Sequence, residues 1–165
     1  MKENSGQIGA EYLFFTGVMI LIIMISAVFI YNQQELNIAM SAARDGVNEG
    51  VAASSSGIYP KQTFNDYSKS KSNLLIPYSV EIVNVSYSEM GIDDNFNKKK
   101  IQFKVYAKSS RDFSKKELDS IGDRINYNLR KSIAVSFNST SSTNKLYNPV
   151  FSPHYVFTTA NVKWV

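Results

Sequence analysis

The chain has 165 residues, room for one small domain and an anchor but hardly for two domains. It has no cysteine, which excludes a disulfide framework and any thiolate metal site, and one histidine, His154, which excludes a multi-histidine site. The net charge of +4 is unevenly spread: residues 7–97 carry 4 basic and 9 acidic side chains, whereas residues 98–165 carry 13 and 4. Two readings of that asymmetry stand. An acidic segment faces a basic one, within the fold or between neighbouring subunits, or the basic half forms a face for nucleic acid or an anionic cell surface.

The first predicted element is a hydrophobic helix. No charged residue occurs from Tyr12 to Gln34, and residues 12–31 read YLFFTGVMILIIMISAVFIY. Twenty helical residues span about 30 Å, the thickness of a bilayer core. Tyr12 and Tyr31 bracket the run, as interfacial aromatics do. A secretory signal cut behind the run would need a shorter apolar stretch, and the nearest small-residue site, residues 39–43, lies well beyond it. After Tyr31 the pattern becomes one-sided. Leu36, Met40, Ala43, Val47 and Val51 recur at helical spacing, with Arg44, Asp45, Asn48 and Glu49 on the other side, until Ser54, Ser55, Ser56 and Gly57 stop the helix.

Glu11 is joined directly to the apolar run, and an acid at that depth is by itself a functional hypothesis. Ahead of it stand a short polar leader, residues 1–5, and then Gly6-Gln7-Ile8-Gly9-Ala10-Glu11. This arrangement resembles the archaeal class III signal peptide of type IV pilin-like proteins. In that family a leader ends in Gly, and the mature chain opens Q-x-S-x-E before a hydrophobic run. Gly6, Gln7 and Glu11 match, Gly9 stands where the family has Ser, and Phe15 falls on a later Leu of the pattern.

The resemblance covers less than a fifth of the chain. It implies that a prepilin peptidase cuts between Gly6 and Gln7. It implies also that the retained helix packs into a filament core, where Glu11 pairs with the freed amino group of a neighbouring subunit. A buried carboxylate is tolerated only when paired. The membrane before assembly, the pilus assembly machinery and identical or related pilin subunits are the partners it implies.

The head is predicted as follows. Residues 58–73 are polar and loop-like. Residues 76–89 form a strand whose alternation slips phase between Ile82 and Val83, the mark of a bulge or twist. Residues 101–108 alternate cleanly, with Ile101, Phe103, Val105 and Ala107 on one face, so the two strands make a hairpin with a long loop, residues 90–99. A helix then opens on a capping box, Ser114 with Glu117, and a staple, Phe113 with Leu118. Its apolar stripe is Leu118, Ile121, Ile125, Leu129 and Ile133, while Lys115, Lys116, Arg130 and Lys131 are expected to stay solvated. Residues 137–143 form a polar loop, and residues 154–165 a final strand.

The expected fold is therefore α+β: a long N-terminal helix, then a small antiparallel-sheet head with one packed helix. The divisions are residues 1–6 (leader, cleaved), 7–54 (helix) and 55–165 (head outside the cell). Outward placement rests on the resemblance and on the sequon at Asn138. A second sequon at Asn84 lies in a predicted strand and is the poorer acceptor for N-glycosylation.

No catalytic constellation is present, so no enzyme, cofactor or metal is expected. Asp93 to Asn97 begins like a calcium loop, but Lys98 and Lys104 stand where such a loop needs Gly and Glu, which leaves a polar hairpin loop. His154 reads as a strand-edge residue and Lys98, Lys99 and Lys100 as a solvated strand entry. The first functional expectation is a major or minor pilin of a surface filament. The alternative is a non-polymerising single-pass surface protein whose basic head binds DNA, a glycan or a partner. DNA binding by the head is not expected at physiological salt, the charges serving instead against acidic neighbours.

Overall fold

The computed structural model describes residues 4–57 and 59–165, with side chains from Gly9 onward. The chain divides into two compact units, Met1–Asn37 and Ile38–Val165. The last part of the first helix therefore belongs to the head unit, which begins well ahead of residue 55. Residues 1–3, half of the predicted leader, lie outside the described residues.

Helix α1 runs unbroken over Asn4–Ser55. No proline occurs before Pro60, so nothing interrupts its hydrogen-bond ladder. It ends where predicted: Gly57 takes φ +65°, and its N–H reaches the Ser54 carbonyl. In the first unit, the large apolar side chains from Tyr12 to Tyr31 are 40–76% exposed. In the second, the stripe is buried at Ala43 and Val47, and Val51 is half-buried.

Residues 59–73 are not a continuous loop. Helix α2 occupies Lys61–Ser70, followed by a 3-10 turn at Ser72–Leu75. Ile58 lies outside the described residues. None of the α2 residues is buried, and Phe64 and Tyr67 are its only apolar residues, too few to mark a helix over so short a run. It is held through aromatic and cationic side chains. Tyr67 meets Tyr59 edge to face at 5.1 Å, the Arg124 guanidinium sits 4.3 Å from the Tyr59 ring centre, and Arg124 Nη2 donates to the Tyr67 hydroxyl at 3.2 Å.

Strands β1 (Val80–Asp93) and β2 (Lys98–Ser109) form the hairpin. The predicted phase slip is a bulge: the register passes from Ile82 opposite Ala107 to Asn84 opposite Tyr106, leaving Val83 as the extra residue. A second shift lies between Glu89 and Ile92, where Gly91 supplies φ +83°. The loop is shorter than expected, because both strands extend and only residues 94–97 turn. Asp93 closes that turn: its Oδ1 accepts from Asn95 N–H, its carbonyl accepts from Asn97 N–H, and its Oδ2 pairs with Lys100 at 3.3 Å. Asn97 takes the left-handed conformation, φ 50°, which Asn tolerates better than most residues.

Helix α3 spans Lys115–Ser136 with both arms of the capping box formed. Ile121, Ile125, Leu129 and Ile133 are at most 2% exposed, and Leu118 is half-buried. Arg130 departs from expectation. It is half-buried, and it donates to the Leu146 carbonyl and to Thr159 Oγ1, so it ties α3 to the following loop and to the sheet. Burial lowers its guanidinium pKa, and the nearby Asp123 carboxylate opposes that shift.

The final strand is broken. Strand β3 (Val150–Phe151), which the sequence pattern did not reveal, pairs with β4 (Tyr155–Thr159), and β5 (Lys163–Trp164) follows. Both β4 and β5 run parallel to β2 along one edge of it. The head is thus α+β, as expected, with a mixed sheet in the order β1-β2-β4-β3 and β5 also on β2. Its core joins Ile101, Phe103, Val105 and Ala107 of β2, Phe157 of β4 and the α3 stripe. Each of the larger side chains among them, fully buried, contributes about 1.5–3 kcal/mol.

Candidate functional site

Two features of the chain depart from an ordinary folded domain. The first is the apolar helix. Among the described residues from Gly9 to Gln34 none is buried. Inside such a helix every backbone polar group is satisfied by the helix itself, which is the condition for standing in lipid. Thr16 follows the same rule: its hydroxyl donates to the Tyr12 carbonyl at 2.8 Å. The helix from Gly9 is long and apolar enough to cross a membrane, by length and composition.

Glu11 lies on the exposed surface of this helix, one residue before the aromatic start of the apolar run. Gly6 and Gln7 have helical backbone, and their side chains lie outside the described residues. Glu11 and the Gly6-Gln7 junction thus share one helical segment, within about one and a half turns.

The second feature is a close helix contact within the head unit. Gly46 and Gly50 of α1 face α3. A Cβ built on Gly46 would stand 2.5 Å from the Asn128 carbonyl oxygen and 2.7 Å from Leu129 Cα. One built on Gly50 would stand 2.8 Å from Ile125 Cα. The signal in the sequence is Gly46-x-x-x-Gly50, two small residues one turn apart beside the apolar stripe, which by themselves do not say what approaches them.

The other predicted positions are placed as follows. Asn138 is exposed at φ 50°, just past the end of α3, with its N–H on the Val135 carbonyl. Asn84 is also exposed, at the β1 bulge, so its strand position does not bury it. His154 is exposed, and its carbonyl accepts from Lys99 N–H. Two of the three consecutive lysines are committed within the fold: Lys98 Nζ donates to the Ser152 carbonyl at 2.7 Å, and Lys100 pairs with Asp93. Among the described residues no group of three or more His, Cys, Asp or Glu side chains is arranged to hold a metal ion.

These features define a class: an α+β head joined to a helix with the length and composition of a membrane span. No protein-family model, no curated protein and no solved structure matches the chain.

Proposed function

We propose that this chain is a structural subunit of a type IV pilus-like surface filament, held in the membrane by α1 before assembly and packed through the same helix afterwards. One observation carries the reading: the helix surface over residues 12–31 is apolar on every side and exposed all round. A lone membrane span satisfies that surface with lipid, and a bundle of identical helices satisfies it with protein. The Gly6-Gln7 junction and Glu11 favour the bundle. Cleavage there leaves an amino group four residues from the carboxylate, and only a paired carboxylate is stable where water is excluded. The head then stands outside the cell, with Asn138 exposed for glycosylation.

Mass spectrometry of the protein's N-terminus, in membranes and in filaments sheared from cells, tests the reading. A chain beginning at Gln7, free or cyclised to pyroglutamate, and abundant in the sheared fraction is the expected result. An intact Met1, or a chain confined to the membrane fraction, favours the single-pass surface protein with a binding head.

A further inference from the structure

Consecutive side chains of a strand point to opposite faces of its sheet, and Lys163 and Trp164 of β5 are such a pair. Lys163 lies on the open face, its ammonium 5.5 Å from the ring centre of Tyr106. The same face carries Lys104, whose Nζ donates to Ser88 Oγ at 2.8 Å, and Lys108, which stands opposite Glu81 in the ladder. Trp164 turns to the other side. There, with Leu118, Asp119, Asp123, Asn126 and Asn161, it lines a groove of about 250 Å³ between α3 and the sheet edge.

The groove lacks what a cation supplies. Asp119 and Asp123 are exposed and one turn apart on α3, and among the described residues neither makes an ion pair within 4.0 Å. Asp123 acts at longer range on Arg130. Asn126 is only 5% exposed; its Nδ2 is committed to the Ala160 carbonyl at 2.8 Å, and its Oδ1 has no partner. An acceptor left unpaired in a buried setting is costly. Two exposed carboxylates beside the Trp164 indole, with the unpaired Asn126 oxygen buried in the same wall, suit a primary ammonium, which brings charge and three N–H donors.

From this complementarity we infer that the groove receives a lysine side chain from the open sheet face of a second copy, Lys163 or Lys104. The donor patch and the groove lie on different faces of one head. Their contact is therefore heterologous, and its repetition builds a ring or, where the rotation does not close, an open polymer, in place of a closed dimer. The inference rests on the polymerisation reading above and assigns the head its own share in it, separate from the helix.

Carbodiimide coupling of sheared filaments, which joins amines to carboxylates in direct contact, is the first test. Mixed isotopic labelling separates links between copies from links within one. Expected are inter-copy peptides joining Lys163 or Lys104 to Asp119 or Asp123, and their absence overturns the inference. Charge reversal is the second test. Asp119→Lys with Asp123→Lys, or Lys104→Glu with Lys163→Glu, should each lower filament yield about tenfold or more, since like charges then meet. All four changes in one chain should restore yield to within about threefold of the parent, as coupled sites do. Near-ultraviolet circular dichroism matched to the parent confirms that each variant is folded. Parent filaments with no rescue overturn this inference alone, whereas a parent that leaves no filaments overturns the polymerisation reading and the inference with it.

Discussion

Gly46 lies so close to Asn128 that a methyl group on its Cα would stand 2.5 Å from the Asn128 carbonyl oxygen. That separation is well inside van der Waals contact, and the obstacle is backbone, which cannot rotate away. Gly46→Ala should therefore push α1 from α3, costing about 1–3 kcal/mol as overpacking does. A thermal melt of the full chain in detergent should show the head's Tm lowered by about 5–10 °C. Gly17→Ala is the control: nothing lies within 4 Å of its would-be Cβ, so the head's melt should not fall. Equal melts for the two variants would remove the close contact.

The start of α3 should be sensitive to acid. The Ser114 hydroxyl donates to Glu117 Oε2 at 2.7 Å and holds the carboxyl below its ordinary pKa. Burial opposes this, while Ser114 N–H, the Asn73 side chain and the Lys71 charge add to the lowering. A lowered folded-state pKa means that the stabilisation is complete above the unfolded value, about 4.3, and is lost as pH falls through the folded value. Denaturation midpoints measured from pH 6 down to pH 2 should therefore fall more steeply for the parent than for Glu117→Gln. Ser114→Ala should cost about 1 kcal/mol at neutral pH through the lost cap. Parallel pH profiles for parent and Glu117→Gln would count against the linkage.

Arg130 should matter more than a solvated arginine. Its guanidinium donates to Leu146 O at 3.3 Å and to Thr159 Oγ1, so Arg130→Met leaves both acceptors without that donor. The expected loss is about 1.5–3 kcal/mol, the range for hydrogen bonds to charged groups. Urea titration followed by tyrosine and tryptophan fluorescence measures it. A change below about 0.5 kcal/mol would return Arg130 to the ordinary surface class.

On the proposed function, Glu11→Ala should separate processing from assembly. The substitution leaves the Gly6-Gln7 junction and the apolar run intact, so cleavage and membrane insertion should continue. Filament yield should fall, because the freed amine of the neighbouring subunit loses its carboxylate in a water-excluded core. Immunoblots of membrane and sheared fractions read both outcomes at once. Unchanged filament yield would leave Glu11 without a pairing role.

Much of the fold could be read from the chain because its causes are local. The alternation of Ile101, Phe103, Val105 and Ala107 marks a strand with one buried face, and all four are at most 1% exposed. Ser114 and Glu117 are three residues apart, so the capping box follows from their chemistry alone. The slip at Val83 is visible because one extra residue reverses every later side chain. The candidate assembly helix was the most legible feature, since an unbroken apolar run needs no partner in the chain to be recognised.

What remained hidden depends on groups distant in sequence. Helix α2 buries nothing and is held by Arg124, 57 residues from Tyr67, and two apolar residues in a short polar run do not tell a helix from a loop. Strands β4 and β5 run parallel to β2, and no local pattern states which strand a segment will join or in which direction. Arg130 resembles a surface residue until Leu146 and Thr159 are brought to it. The groove is the same case: Asp119 and Asp123 belong to one helix, but Trp164 joins them only because β5 returns along the edge of β2. The sequence by itself determined the elements that hydrophobic period and capping chemistry specify over a few residues, together with the apolar helix. Only the tertiary structure decided which strands pair, how closely α1 approaches α3 and which charges share a surface, because those contacts close long loops whose cost is repaid by the packed core as a whole.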